Sequence, residues 1–437
     1  MHTLEQLHSG ALAGVRQLRL VNQGLTHWPE ALYSLADTLE LLDLSGNQLS
    51  ELPEDLPRLH RLRILFASQN PFTTLPSVLG RMPQLEMLGF KACQITSVPA
   101  ESLPPRLRWL ILTDNAIEHL PDTLGQRPRL QKLMLACNRL TALPATLAGH
   151  PRLELLRLAA NRITALQTLL PTMPSLAWAA LAGNPLTQAA ETQVLDSHRA
   201  SALPWPALHL GPPLGQGASG QVFQAQRLDR GETLAVKLFH AGATSDGTPQ
   251  SEMAAGLATG PHAHLLAPQA PVTGHPEGRL AMSLPLLPAD LRPLAAPPSL
   301  ESCTRDVYGD APLAPGPALR LLAHVSAALA HLHAQGVVHG DLYAHNILWR
   351  DSDGHAVLSD LGAAMLTQAL PAAEAFTLQR LEMRALGILI AEVLAHSPAL
   401  APPVAFALQT LAEQCMQAQA HLRPSAAEAA QMLKKFH

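Results

Sequence analysis

Leucines return along the first half of the chain at a nearly constant interval. "LELLDLSGNQLSELPEDL" begins at Leu39, "LRILFASQNPFTTLPSVL" at Leu62 and "LEMLGFKACQITSVPAES" at Leu85. "LRWLILTDNAIEHLPDTL" follows at Leu107, "LQKLMLACNRLTALPATL" at Leu130 and "LELLRLAANRITALQTLL" at Leu153. A degenerate copy opens at Val15 and a partial one, "LAWAALAGNPLT", at Leu176, so successive starts lie 22 to 24 residues apart. Each copy reads as one short strand and a return segment. Such a unit cannot bury its leucines alone, whereas stacked neighbours make a continuous core. Asn47, Asn70, Asn115, Asn138, Asn161 and Asn184 fall at the turn after the strand, and Cys93 takes that place in one copy. There a side-chain amide can bond backbone groups of adjacent coils that would otherwise be buried unpaired. Cys93 and Cys137 stand two coils apart, about 10 Å at ~4.8 Å per strand, beyond disulfide reach.

The copies match L-x-x-L-x-L-x-x-N/C-x-L and resemble the leucine-rich repeat. The resemblance implies an α/β solenoid over residues 1–190. "ETQVLDSHRASALPWP" then reads as a capping helix and a proline-marked linker, with the linker at 191–206. The third and fifth residues of each copy face the concave side. A stripe through Ile64, Phe66, Met87, Trp109, Ile111, Met134 and Trp178 is apolar for such a face. Large apolar patches mark binding surfaces, so one reading is a protein partner held by Phe66, Trp109, Ile111, Met134 and Trp178. The other is that a further part of the chain, or a second copy, covers the stripe.

The second half changes pattern. "LHLGPPLGQGASGQVFQAQ" is strand, glycine turn, strand. "ETLAVKLF" places Lys237 inside an apolar strand, in a chain whose other lysines are Lys91, Lys132, Lys434 and Lys435. "TPQSEMAAGL" begins a helix, with Pro249 in its first turn. "PALRLLAHVSAALAHLHAQG" carries Leu319, Leu322, Val325, Leu329 and Leu332 at helical spacing. It leads into "HGDLYAHNIL", where His, Asp, His and Asn crowd between aliphatic residues. Either this is a buried turn that is polar for structural reasons, or it is a loop that binds metal and activates a hydroxyl.

The order of these segments decides between the two. Gly215-x-Gly217-x-x-Gly220-x-Val222 is followed by a strand, which disfavours a dinucleotide-binding turn and resembles the glycine-rich hairpin of protein kinases. "LAVK" resembles the kinase lysine strand, and Glu252 fits the helix glutamate that pairs with that lysine. "HGDLYAHN" resembles the catalytic loop, "LSDLGAA" the metal-binding segment after it, "LEMRALGILIAEVL" the helix supporting that loop and "HLRPSAAEAAQML" the closing segment. The whole chain looks like a bacterial leucine-rich-repeat protein kinase: a repeat solenoid followed by a bilobal α+β kinase-like domain over 207–437. The resemblance implies ATP and Mg²⁺ as cofactors. It makes Asp341 the residue that accepts or orients the acceptor hydroxyl's proton, and Asn346 and Asp360 the metal ligands. Nucleotide contacts would come from Leu214, Gly215, Gly217, Gly220, Val222, Ala235, Lys237, Glu252, Met282 as gatekeeper, and the backbone at Ser283. Pro285 sits where an N–H donor is wanted, and proline has none. Either the register shifts by one or adenine is held differently. The proline-rich run Pro288 to Pro317 is expected to loop out.

Several positions depart from the family pattern. Gly340 replaces the arginine before Asp341, and few residues separate Asp360 from Glu382, so no phosphorylation switch is expected; phosphomimetic changes at Thr367 or Thr377 should be neutral. Glu374 is expected to pair with Arg423. Tyr343 and His345 replace the residues that mark serine/threonine and tyrosine specificity, which leaves specificity open. "HGDLxxxN" also occurs in small-molecule phosphotransferases of the aminoglycoside and choline type. That is the main alternative, and a scaffold without catalysis is a third. The glycine turn, Lys237 and the closing segment favour a protein kinase that modifies serine or threonine and itself.

Composition narrows the setting. The chain has 437 residues, 47% hydrophobic, with formal charge −4. That allows more than one core and suggests neither nucleic-acid nor anionic-membrane binding. The longest apolar run is broken by Glu392 and Pro398, which leaves no membrane span. Four cysteines without C-x-x-C spacing fit a reducing cytoplasm.

Overall fold

A computed structural model describes residues 2–166, 168–242 and 244–436. By compactness the chain divides into two units, 1–173 and 174–437.

The first unit opens with helix α1 (Leu4–His8), closed by a capping box at Thr3. Seven three-residue strands follow: β1 (Gln17–Arg19), β2 (Leu41–Asp43), β3 (Ile64–Phe66), β4 (Met87–Gly89), β5 (Trp109–Ile111), β6 (Lys132–Met134) and β7 (Leu155–Arg157). They pair in parallel, each with the next in chain order and in register. The middle leucine of every strand, Leu18 through Leu156, is buried. Short 3₁₀ turns return the chain, several of them entered through a proline such as Pro76 or Pro144, whose fixed φ suits that position. The asparagines behave as a ladder. Asn70 accepts from Leu49 N–H at 2.9 Å and donates to Leu44 O and Ala67 O, each at 3.0 Å; Asn138 and Asn161 repeat the pattern. Cys93 substitutes by donating Sγ–H to Ala67 O at 3.4 Å, and burial raises its thiol pKa to about 11.

Of the apolar stripe along the strands, Ile64, Phe66, Trp109, Ile111 and Met134 are half-buried, while Met87 is buried. The Phe66 ring fills the space a Cβ at Gly89 would occupy, and Lys132 Nζ lies 4.1 Å from the Trp109 ring centroid.

The second unit begins with strand β8 (Trp178–Ala180), helix α2 (Pro185–Ser197) and β9 (Leu203–Pro204). A sheet follows from β10 (Leu208–Gln216), β11 (Gly220–Arg227), β12 (Glu232–Phe239), β13 (Ala270–Thr273) and β14 (Ala281–Leu284), in the order β10-β11-β12-β14-β13-β9. Helix α3 (Pro249–Thr259) lies between β12 and β13 in the chain. Its N-cap Thr248 accepts from Ser251 N–H, with proline in its first turn. Then come β15 (Arg292–Pro293), helix α4 (Pro315–Ala334), β16 (Val337–Val338), β17 (Ile347–Trp349), β18 (Ala356–Leu358) and β19 (Met365–Leu366). Helices α5 (Ala372–Ala395), α6 (Pro402–Cys415) and α7 (Ala426–Leu433) complete the unit. This is the repeat-then-mixed-sheet-and-helix architecture expected. Among the described residues no helix is long and apolar enough to cross a membrane.

The run 288–317 departs from expectation. It does not loop out. Arg292 and Pro293 pair with β17, Leu294 N–H donates to Ile347 O at 2.9 Å, and Cys303 and Thr304 are fully buried. The prolines break regular elements without preventing packing, because a buried carboxylate at Asp306 ties the segment to His345.

Candidate active site

The glycine turn is built by β10 and β11. Gly217 N–H donates to Gly220 O at 2.9 Å. A Cβ at Gly220 would stand 2.5 Å from Leu238 O, so only glycine lets β11 cross β12 there. Beneath the turn lies a cavity of about 230 Å³. Gly217 and Gly220 roof it, Val222, Leu266, Met282, Leu284 and Leu348 form apolar walls, and Lys237, Glu252 and Asp360 supply charge. Lys237 Nζ is ion-paired with Glu252, both side chains nearly buried. Burial raises the Glu252 pKa and Asp360 adds to the rise, against the pull of Lys237.

Pairing of β12 with β14 sets Lys237 opposite Met282 and Ala235 opposite Leu284. Met282 and Leu284 therefore face the cavity and Ser283 does not. Ser283 is fully buried, its Oγ donates to Ala270 O at 3.2 Å, and its carbonyl accepts from Gln269 N–H at 2.8 Å. The Ser283 side chain thus lies outside the cavity lining, which Leu284, the last residue of the strand, joins. Leu214 and Gly215 lie on β10 outside the cavity lining, with Leu214 half-exposed. Ala235 belongs to the apolar cluster behind the wall, with Phe239, Met253 and Met282. Leu266 and Leu348 were not singled out beforehand; Leu348 carries a signal, an aliphatic two residues after Asn346.

The segment around Asp341 is held by α5. Glu382, on α5, accepts from His339 N–H at 3.2 Å, Gly340 N–H at 2.6 Å and the His333 ring at 2.8 Å. Burial alone would raise its pKa; the His333 bond and charge, with His339 and the Gly340 N–H, keep it below the ordinary value. His339 is fully buried, donates Nε2–H to Ser359 O at 3.0 Å and accepts Asp341 N–H on Nδ1 at 3.2 Å. Asn346 Nδ2 donates to the Asp341 carbonyl and carboxylate, each at 2.9 Å. Ser359 N–H and Oγ both bond Asn346 O, at 2.9 and 2.8 Å. The next residue, Asp360, is exposed and adopts φ +59, a region an L-residue rarely visits. Its Oδ1 accepts from Gly362 N–H at 3.1 Å. Asp341, Asn346 and Asp360 are thus linked through two short bonded segments.

Gly340, where the resembling family carries arginine, has φ +74, and a Cβ there would stand 2.6 Å from Ala363 O and 2.7 Å from Ala179 O. Backbone handedness and space both select glycine. Tyr343 is buried and stacked on Trp178, with centroids 4.2 Å apart and planes 9° from parallel. Trp178 Nε1–H donates to Leu342 O at 2.9 Å, and the indole is 1% exposed. Trp178 is therefore withdrawn from the stripe open to a partner: it packs against Tyr343 and Leu342.

His345 is ion-paired with Asp306: Nδ1 to Oδ1 is 2.7 Å, and His345 N–H donates to Oδ2 at 3.0 Å. Burial lowers its pKa, but the Asp306 bond and charge, with Asp341 and Asp360, raise it above 6.5 overall. A raised folded pKa means the pair's contribution to stability is complete below about pH 6.5 and is lost as pH climbs through the folded value. Asp306→Asn is expected to move the His345 titration downward in an NMR pH series and to flatten melting temperature against pH in that window. An unmoved titration would contradict the pairing.

Two smaller expectations also change. Arg423 is buried and donates to the carbonyls of Gln417, Leu381, Arg380 and Pro174, not to Glu374. Thr367 is 2% exposed and its Oγ1 donates to Gly336 O at 3.0 Å. A phosphomimetic carboxylate there would be buried and is expected to lower stability.

Residues 208–381 match the family described as protein kinase domain. Residues 105–163 and 38–59 match leucine-rich repeats. The chain is 32% identical over 158 residues to a DNA damage-responsive serine/threonine-protein kinase of Deinococcus radiodurans, which covers 36% of this chain and 22% of that protein. It is 34% identical over 99 residues to the human PH domain leucine-rich repeat-containing protein phosphatase 1, covering 22% of this chain and 6% of that one. A leucine-rich-repeat protein structure from Leptospira interrogans is similar at 29% identity and TM-score 0.39, covering 42% of this chain and 46% of that chain. The chain thus spans only a small part of the curated relatives it matches. It carries leucine-rich repeats and a protein kinase domain.

Proposed function

We propose that this chain is an Mg-ATP-dependent protein kinase that transfers phosphate to serine or threonine, its own included, in the cytoplasm. The observation that carries the reading is a glycine-roofed cavity holding the Lys237–Glu252 pair and Asp360, with Asn346 bonded both to Asp341 and to Ser359, the residue before Asp360. The residues fit the cofactors. An apolar slot of Val222, Met282, Leu284 and Leu348 suits a flat base, and oxygen donors at Asn346 and Asp360 suit Mg²⁺. When bound, Mg-ATP supplies the activated phosphoryl group.

Lys237, held by Glu252, would hold the phosphates. Gly217 and Gly220 let backbone approach them. Asp341, oriented by Asn346, accepts or directs the proton of the acceptor hydroxyl. A broad groove of about 1100 Å³ bordered by Tyr308, His345 and Trp349 lies beside the loop and has room for a polypeptide. The repeat domain, taken as 1–190 before a 191–206 linker and a 207–437 kinase-like domain, recognises a protein partner through Phe66, Trp109, Ile111 and Met134. Its last copy braces the Asp341 loop through Trp178.

The test is labelled ATP with purified chain, with and without casein, followed by phosphoamino-acid analysis. Label on serine or threonine is expected. Label only on small alcohols or aminoglycosides would favour a small-molecule phosphotransferase, and no nucleotide binding would favour a scaffold.

A further inference from the structure

Five histidines gather outside the lining of the cavity just described. His262 and His264 lie in the loop after α3, His324 and His331 stand two turns apart on α4, and His355 sits in the turn between β17 and β18. The His262 and His331 rings stack at 4.7 Å, and the His264 and His324 rings at 3.7 Å and 11°. His355 is inclined to that second pair, 5.6 Å from each. His264, His324 and His355 each offer a ring nitrogen, all within 4.8 Å of one another, and all three side chains reach solvent.

Backbone bonds bring the three segments together. Leu358 N–H donates to His264 O at 2.9 Å, and Leu266 N–H returns to Leu358 O at 2.8 Å. Ala356 then engages two of the rings. Its N–H donates to His324 Nδ1 and its carbonyl accepts from His264 Nδ1, each at 3.2 Å. The second bond protonates His264 at Nδ1 and puts the ring's lone pair on Nε2, the orienting arrangement that metal-binding histidines use. Stacked imidazoles are a poor choice for packing alone, since aliphatic side chains fill such space without polar atoms to satisfy.

We propose that His264, His324 and His355 bind one divalent ion of the zinc class, with water as the remaining ligand. Three imidazoles without a carboxylate or thiolate select late transition metals over Mg²⁺ or Ca²⁺. Ligand atoms now up to 4.8 Å apart close to about 3.4 Å, the spacing tetrahedral bonds of ~2.0–2.1 Å impose. The rings leave their stack, and His324 exchanges the Ala356 N–H for the metal. The bound ion ties the loop that follows the Glu252 helix to α4, which leads to Asp341. The site is independent of the kinase reading, and its test uses no nucleotide.

Metal-stripped full-length chain is titrated with Zn²⁺ against a chromophoric chelator, and its melting temperature is followed. One equivalent is expected to bind, with affinity on the order of micromolar or tighter, and to raise the melting temperature; excess Mg²⁺ does neither. His355→Ala and His324→Gln should each weaken binding at least tenfold. His355 makes its backbone bonds to Asp353 and Arg350 without its ring, so that variant folds. Absence of stoichiometric uptake, or uptake unchanged in both variants, overturns the site, because the ion would then sit on others of the 21 histidines.

Discussion

Asp341→Asn lowers phosphoryl transfer by about 10²–10⁴, the range for a positioned acid or base. The substitution keeps the shape of the side chain and its place beside Asn346, whose Nδ2 lies 2.9 Å from Oδ2. It removes the charge that draws the hydroxyl proton. A loss of this size corresponds to roughly 3–5 kcal/mol of transition-state stabilisation, too much for altered packing in a loop held at Glu382 and His339. Lys237→Met is the companion variant and should abolish most transfer. It also strands Glu252, 3% exposed in side chain, without its cation; burial already raises that carboxyl, so it takes up a proton more readily than a free glutamate would. Single-turnover label transfer at saturating Mg-ATP checks both variants, with circular dichroism to confirm folding. Wild-type rates in both would remove the kinase reading.

The repeats and the candidate site residues are legible in the sequence, for two different reasons. A period of 22 to 24 residues is a geometric constraint on every copy, so leucine and asparagine positions predict burial and ladder bonds one by one. Lys237, Glu252, Asp341, Asn346 and Asp360 are legible because charge inside apolar sequence needs a reason. The facing of Met282, Ser283 and Leu284 was not legible because "LAMSLPLL" has no glycine or charge to set its register; only pairing with β12 fixes which side chains face the cavity. Asp306 was invisible as the partner of His345, thirty-nine residues away, inside a proline-rich run that reads as loop. The histidine cluster is invisible for the same reason: sequence distance hides what strand and helix packing unite. Trp178 was read as available to a partner and is instead buried against Leu342 and Tyr343, since periodicity does not tell what a side chain meets.

Trp178→Ala is expected to destabilise the second unit by about 3–5 kcal/mol, the usual cost of emptying a buried aromatic site. Two further losses go with the cavity. Leu342 O loses its 2.9 Å donor, and Tyr343 loses the face it stacks on at 4.2 Å. For a domain of this size roughly 2–4 °C accompanies each kcal/mol, so melting should fall by about 6–20 °C. Trp178→Phe keeps an aromatic face and loses only the hydrogen bond, for about 1 kcal/mol. Transfer should fall in both variants, in the same order, because Leu342 adjoins Asp341 and a loosened loop misplaces the carboxylate. Differential scanning fluorimetry and label transfer on the full chain separate two roles for the indole. If Trp178 is a strut, stability and rate fall together. If it is a cover over the acceptor site, the alanine variant is less stable and faster, and a severalfold rise in transfer would reject the strut. The strut is favoured by the bond to Leu342 and by Gly340, where a single added Cβ would stand 2.7 Å from Ala179 O. A contact that close to the backbone of β8 leaves no room for the segment to lift and reseat during each catalytic cycle.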